Sequence, residues 1–326
     1  MSKLVTIFGG SGFIGRYVAR RMAKEGWRVR VAVRRPNEAL FVKPYGVVGQ
    51  VEPILCNIRN DASVSNAIRG ADAVINCVGI LKETGRNTFM AVQNDSAERV
   101  ARLAAEQSVL SLVHFSAIGA DTKSDSLYSQ TKALGEAAIL KQMPNAVILR
   151  PSIVFGAEDQ FFNRFASMSR FGPILPVVGA ETLFQPVFVD DLAQVAVLAA
   201  TGSAAAGIYE LDGPEVLSFR GMMQKMLDVI QRRRLVFGIP MFLARIMATI
   251  FELGGKLSLG LAPVPLTIDQ VKSLAVDNVA SGVLPGFADL GIVPTTLDSV
   301  LPDYLWPFRV SGQFADIKAS ARNLKT

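Results

Sequence analysis

The chain has 326 residues, half of them hydrophobic and 19% charged. That is material for one large domain or two modest ones, and too apolar a composition for disorder. The net charge of +6, with a pI near 9.4, favours an anionic partner such as a nucleotide, an anionic lipid or an acidic protein. Nucleic acid is not expected, because no aromatic-basic platform or zinc-binding spacing is present.

The first predicted element is a buried parallel strand, Leu4 to Phe8, a short apolar run with a β-branched centre. Gly9, Gly12 and Gly15 follow, and then a helical pattern through Val18, Ala19 and Met22. Glycines so placed give a tight turn, room for a phosphate against bare backbone, and close helix-on-strand packing. Phe13, Ile14 and Gly15 open the helix, whose free N–H groups face a pyrophosphate. A strand before and a helix after make this a dinucleotide-binding pattern.

A second strand, Val29 to Val33, ends at Arg34-Arg35. An acidic residue there would bond the ribose 2′-hydroxyl of NAD, whereas an arginine suits a 2′-phosphate. The cofactor expected is therefore NADPH. A third strand runs from Val51 to Cys56, with Asn57 and Ile58 at the adenine edge. Ser63 to Arg69 is a short helix. Ala73 to Val78 is the fourth strand, and Val78-Gly79 lets backbone pass close to the cofactor. Phe89 to Gln107 is an amphipathic helix and Leu110 to Phe115 the fifth strand. Alternating strands and helices at this spacing specify an α/β fold, a doubly wound parallel Rossmann-type sheet with ligands beyond the strands' carboxyl ends. Cys56 and Cys77 sit in apolar strand patterns and are read as reduced packing residues. His114 is read as a packed histidine, and no metal site is expected.

Ser116 comes next, and then Tyr128-Ser129-Gln130-Thr131-Lys132. Tyrosine and lysine four apart share one helix face, where a nearby ammonium favours phenolate and prepares it for proton transfer. Here the chain resembles the short-chain dehydrogenase/reductase superfamily, in its extended and atypical branches. The resemblance covers about the first 230 residues and rests on the glycines, Tyr128, Lys132, Leu149-Arg150-Pro151-Ser152 and Val189-Asp190-Asp191-Leu192-Ala193. Asn94 is similar to the family's structural asparagine. The resemblance implies Tyr128 as acid/base, Lys132 as its tuner and ribose ligand, and backbone from Pro151 through Ile153 against the nicotinamide carboxamide. It also exposes a departure. Ile118 stands where active members carry the catalytic serine or threonine, which leaves Ser116 as a vestigial substitute; Phe188 stands where relatives place histidine.

The remaining elements are a sixth strand from Val147 to Leu149, a helix from Phe161 to Phe171, a punctuated loop from Gly172 to Gly179, and a strand from Pro186 to Val189. Asp190 is expected to cap the helix Leu192 to Ala200, and Ser218 a helix through Ile230, with a strand Ile208 to Leu211 between them. Residues 1–155, completed by 184–202, make the NADP-binding Rossmann domain; 156–326 make a smaller, mostly helical substrate-side region with a partner- or membrane-facing tail. In that tail Arg232, Arg233 and Arg234 precede an apolar helical segment, 235–257, whose only polar stripe is Arg245, Thr249, Glu252 and Lys256. Such a segment must be buried in its own domain, under a partner or at a lipid surface, and the arginines suit anionic headgroups. Ile268 to Asn278 is a further helix; beyond Val279 the repeated prolines leave few elements able to stand alone, and 318–326 is expected to be exposed.

The strings Phe8-Gly9-Gly10-Ser11-Gly12-Phe13-Ile14-Gly15-Arg16, Tyr128 through Glu136, and Arg150 through Gly156 are most similar to the short-chain-dehydrogenase-like accessory subunits of respiratory complex I. That resemblance implies tightly held NADPH, other subunits of a membrane-bound complex as partners, and no settled turnover. With no transit segment before Leu4, the cytoplasmic face of a bacterial inner membrane is expected, or the matrix side in a mitochondrion. Two further functions stay open: an NADPH-dependent reductase, epimerase or dehydratase acting on a sugar nucleotide, and an NADP-sensing regulator.

Overall fold

In the computed structural model, which describes residues 2–257, 264–310, 312 and 320, the fold grows from its first strand. β1 (Leu4–Phe8) is buried along its whole length and turns through Gly9 into α1 (Phe13–Lys24). β2 (Arg28–Val33), β3 (Val51–Leu55), α2 (Asp61–Ile68) and β4 (Ala73–Asn76) follow. A π-helical turn over Met90–Asn94 leads into α3 (Asp95–Glu106), then β5 (Ser111–Phe115), α4 (Leu127–Gln142) and β6 (Val147–Pro151). β7 (Val154–Phe155), α5 (Phe162–Met168), β8 (Ile174–Val178), β9 (Leu183–Phe184) and β10 (Val187–Phe188) precede α6 (Val189–Ala200) and β11 (Gly207–Leu211). The chain ends with β12 (Leu217–Ser218), α7 (Phe219–Val229), β13 (Leu235–Ile239), α8 (Met241–Leu257), α9 (Ile268–Ser273) and α10 (Leu297–Leu305).

The chain forms two units. The first gathers Met1–Ser152, Val189–Asp212 and Ala280–Val293. Its sheet has the order β11-β6-β5-β4-β1-β2-β3, and every pair is parallel. The order reverses between β1 and β4, so the crevice at the carboxyl ends of these strands is the place for a ligand. One face of the sheet is covered by α2, α3 and α4, with Val64, Ile68, Val100, Ala104 and Ile139 in the core. α1 and α6 pack together, joined by Arg21, whose guanidinium donates to both carboxylate oxygens of Asp190 at 2.8 and 2.7 Å. This corrects the expected cap. Helix α6 begins one residue before Asp190, so the carboxylate lies in the first turn, where the helix dipole favours it, and its oxygens serve Arg21.

The second unit comprises Ile153–Phe188, Gly213–Val279 and Pro294–Thr326. Its core holds Phe155, Phe162, Phe184, Phe219 and the methionines of α7. Ser218 caps α7, accepting from the Gly221 N–H at 3.1 Å. Two expectations fail here. The 172–179 loop contains β8, and the apolar run from Leu235 is not one helix but β13 followed by α8. β8 and β13 pair in parallel from Leu235↔Ile174 to Ile239↔Val178. Ladder bonding thus outweighs the turn signal of Pro173 and Pro176, and Pro240 separates strand from helix because it supplies no ladder donor. α8 buries Ala244 and Ala248 against Val178 and Val271. Its opposite stripe, Phe242, Ile246, Ile250, Leu253 and Leu257, is exposed. The Lys256 side chain lies outside the described residues.

The tail also differs from expectation. Residues 280–293 belong to the first unit, where the Ser281 N–H donates to the buried Glu210 carboxylate at 2.6 Å and the Glu210 N–H donates to the Pro285 carbonyl. α10 places Leu297, Leu301 and Leu305 in the second core at helical spacing. The helix expected over 268–278 stops at Ser273. The exposed terminus expected over 318–326 falls, except for Ser320, outside the described residues.

Candidate functional site

The glycine turn is shaped by contacts that tolerate no side chain. Gly9 has φ +72°, a conformation favouring glycine. A Cβ on Gly15 would stand 2.3 Å from the Gly9 carbonyl oxygen and 2.7 Å from the Gly10 Cα, both backbone atoms that cannot yield. One on Gly12 would stand 3.1 Å from the same oxygen. Gly12 is the N-cap of α1 and no side chain satisfies the first turn there. The N–H groups of Phe13, Ile14 and Gly15 therefore head a helix end that is open to an anion.

At the ends of β1 and β2 lies a cleft of about 420 Å³ lined by Ser11, Val33, Arg34, Arg35 and Glu38. Arg34 and Arg35 are both exposed, but they are not equivalent. The Arg35 guanidinium is bound to the Glu38 carboxylate at 3.0 Å. Arg34 takes part in no ion pair among the described residues. Asn57, past β3, is exposed and accepts from the Arg59 N–H, while Ile58 packs into the core beside it. At the end of β4, the buried Asn76 accepts from the Val78 N–H at 3.1 Å and meets His114 Nδ1 at 3.1 Å. Gly79 is exposed, and a Cβ on it would lie 3.5 Å from Lys132 Nζ.

α4 carries the tyrosine and lysine. Ser126 caps it, accepting from the Ser129 N–H. The Tyr128 ring packs edge-on against Phe89, with centroids 5.9 Å apart. Lys132 is 5% exposed, its Nζ donates to the Phe115 carbonyl at 2.9 Å, and it lies 6.0 Å from the Tyr128 ring centroid. Burial pushes the Lys132 ammonium down to about 8, against the opposing pull of Glu136 and Cys77. Burial likewise raises the Cys77 thiol and lowers the His114 imidazole. Ser116 is buried, and its Oγ has no hydrogen-bond partner among the described residues. Ile118 is buried too, with its N–H donating to the Pro151 carbonyl. Gly9, Gly12, Arg34, Gly79, Ser116, Tyr128 and Lys132 thus belong to the first unit, as does Pro151. Ile153 belongs to the second, packed on its core. Phe188 also lies in the second unit, stacked on Phe155 at 5.6 Å.

Gln93 and Gly135 are two positioning residues beyond those singled out in the sequence. Gln93, rather than Asn94, ties the π turn to its surroundings. Its Nε2 donates to the Ile80 carbonyl at 2.8 Å, and its Oε1 accepts from Thr131 at 3.1 Å. The Asn94 side chain donates to the neighbouring Asp95 carboxylate. A Cβ on Gly135 would stand 2.2 Å from the Gln93 carbonyl oxygen, so this glycine lets α4 close on the turn. A glycine inside a helical pattern was the available signal, since such a residue needs a packing reason. Among the described residues no group of three histidine, cysteine or carboxylate side chains could hold a metal ion.

The model of the NAD dependent epimerase/dehydratase family matches residues 5–211. The chain belongs to that family. Over 316 residues it is 32% identical to the NADH dehydrogenase [ubiquinone] 1 alpha subcomplex subunit 9 of Arabidopsis thaliana mitochondria, covering 95% of this chain and 79% of that protein. The Mus musculus subunit of the same name is 30% identical over 300 residues, 90% of this chain and 78% of that one. Among solved structures, the Bordetella bronchiseptica enzyme WbmG in complex with NAD superposes with a TM-score of 0.68 at 15% identity, over 94% of each chain. The family binds nicotinamide dinucleotides, and the residues present here fit one. A Cβ-intolerant glycine turn and an uncapped helix end follow β1 at the switch point, and past β5 stands the buried Ser116 hydroxyl, without a hydrogen-bond partner among the described residues.

Proposed function

We propose that this chain is an accessory subunit of respiratory complex I that holds NADPH as a fixed part of its fold and does not consume it. The supporting observation is the reach of the similarity. The two named complex I relatives align across 90 to 95% of the chain, and so across the second unit as well as the nucleotide-binding one, whereas the WbmG enzyme shares the fold at 15% identity. Gly9, Gly12, Phe13, Ile14 and Gly15 would hold the pyrophosphate, Arg34 and Arg35 the 2′-phosphate, Asn57 and Ile58 the adenine edge, and Val78, Gly79, Ser116, Tyr128, Lys132, Pro151 and Ile153 the nicotinamide end. When bound, the cofactor supplies a hydride; in this chain Ile118 offers no hydroxyl to polarise a carbonyl that would receive it.

The partners are other subunits of the membrane-bound complex, and the chain sits peripherally, on the cytoplasmic face of a bacterial inner membrane or the matrix face in a mitochondrion. No helix among the described residues is long and apolar enough to cross a bilayer. The exposed stripe of α8 and the arginines at 232–234 support a contact with anionic lipid at that face.

The Tyr128–Lys132 pair on one face of α4 supports a second reading, an NADPH-dependent reductase or epimerase acting on a sugar nucleotide. One experiment separates the two. Gently solubilised membranes are resolved by size, and the fraction containing this chain is assayed for bound NADPH. Comigration with a large complex and NADPH that survives dialysis support the subunit. Migration as a free protein, with NADPH oxidation on a sugar nucleotide that is lost in Tyr128→Phe, overturns it.

A further inference from the structure

The parallel ribbon of β8 and β13 has two unlike faces. Leu175, Val177 and Val236 point into the core of the second unit. The residues that alternate with them, Ile174 paired with Leu235 and Pro176 paired with Phe237, are exposed on the other side. Phe171, just before β8, is 80% exposed. Four large apolar side chains on so short a ribbon form a patch, and patches of this kind mark interaction surfaces.

At the Leu235 end the patch meets a cavity of about 470 Å³, lined by Leu227, Asp228, Arg232, Arg233, Arg234 and Leu235, with Gln224. Two of these guanidinium groups are held in place by backbone. Arg232 Nε donates to the Phe308 carbonyl at 2.8 Å, and Arg234 Nε to the Ser169 carbonyl at 2.8 Å. Arg170 lies over the Phe308 ring at 5.2 Å and donates to the Pro307 carbonyl. Arg232 is close enough to Arg234 and Arg170 to feel their repulsion, which, after burial, lowers its pKa. Among the described residues none of Arg170, Arg232, Arg233 and Arg234 is in an ion pair. Asp228 is the one carboxylate lining the cavity. Three guanidinium groups fixed by backbone carbonyls, with the exposed Arg233 beside them, gather four like charges whose missing component is an anion.

We propose that this cavity binds the phosphodiester of an anionic phospholipid, with the acyl chains lying on the exposed face of the β8–β13 ribbon. A free phosphate would use the arginines alone; the apolar face continuous with them commits the site to a lipid. The proposal rests on the peripheral-membrane reading and sharpens it from a general attraction to one site.

Flotation of the full-length protein with vesicles tests it, using phosphatidylcholine alone or phosphatidylcholine with added phosphatidylglycerol. Binding is expected on the anionic vesicles. Arg233→Glu, at an exposed residue without an anchoring bond, should weaken it about thirtyfold, since an attraction is lost and a repulsion gained at about fivefold each. Lys141→Glu makes the same change in net charge on α4 and should leave binding within about twofold if one site dominates over the overall field. Phe237→Gln should weaken binding while the unfolding midpoint stays unchanged. Equal losses in Arg233→Glu and Lys141→Glu, binding indifferent to phosphatidylglycerol, or no binding at all would each overturn the site. Comigration with the solubilised complex is followed in parallel. Comigration without anionic selectivity removes this site and leaves the subunit reading intact; anionic selectivity without comigration does the reverse.

Discussion

The unequal environments of Arg34 and Arg35 yield the sharpest expectation. Among the described residues Arg34 is in no ion pair, whereas Arg35 is engaged by Glu38 at 3.0 Å. A hydrogen bond to a charged group contributes about 1.5–3 kcal/mol, and exposure to solvent and salt favours the lower end. Arg34→Ala should therefore raise the Kd for NADPH about tenfold. Arg34→Asp adds a carboxylate facing a phosphate. Two charges about 5 Å apart at an effective dielectric near 20 interact by about 3 kcal/mol before screening, so a total loss of about a hundredfold is expected. NADH, which lacks the phosphate, should bind Arg34→Ala and the parent protein alike. Arg35→Ala acts differently, because it unmasks Glu38. Its loss should be several-fold and should be recovered in Arg35→Ala/Glu38→Gln. Calorimetric titration of protein stripped of nucleotide reads all seven combinations of protein and ligand. If the double variant binds NADPH as poorly as Arg34→Ala, or the parent protein binds NADH as tightly as NADPH, the assignment of the 2′-phosphate to Arg34 is wrong.

Gly15→Ala places a Cβ 2.3 Å from backbone oxygen; the overpacking should cost about 1–3 kcal/mol in urea unfolding and abolish retention of NADPH through gel filtration. The Arg150–Glu136 pair, joined at 2.6 Å with Glu136 nearly buried, should make Glu136→Gln destabilising by about 3 kcal/mol, since a partly buried guanidinium loses its counter-charge; an unchanged midpoint would refute this. Lys132 has a folded pKa lowered to about 8 from 10.5. The folded chain therefore sheds this proton before the unfolded one does, and stability of nucleotide-free protein should rise between about pH 8 and pH 10.5. Lys132→Met should remove that rise, as followed by urea midpoints across the window. Saturating NADPH should raise the stability of the parent protein by about 4 kcal/mol at a thousand times Kd, read as a shift in thermal midpoint.

Most of the nucleotide-binding unit was legible because its signals are local. Strands such as Leu4–Phe8 and Ala73–Asn76 are continuous apolar runs, and Gly9, Gly12 and Gly15 mark the turn by residue type alone. The second unit was read less well. Ile174–Val178 carries two proline signals at 173 and 176, and only its distant partner, Leu235–Ile239, makes it a strand. The same pairing divided an apolar segment whose composition suits a helix throughout. Leu297, Leu301 and Leu305 have the spacing of a buried helix face, yet Pro302 within α10 hides it. In the candidate site, the inequality of Arg34 and Arg35 depends on Glu38, three residues away on a helical turn. The role of Gly135 depends on Gln93, 42 positions earlier. The first is a local contact set by side-chain geometry, and the second joins two distant stretches of sequence.

The close approach of Gly135 to the π turn fixes the helix that carries Tyr128 and Lys132. α4 is locked to the sheet through Gln93, Thr131 and the Phe115 carbonyl that receives Lys132. The face of α4 that would present a proton donor is thus the face that fastens the helix. Lys132 is thus held by burial and a backbone carbonyl whether or not a reaction uses it. The Tyr-x-x-x-Lys signature by itself therefore reports a scaffold shared with the family rather than turnover.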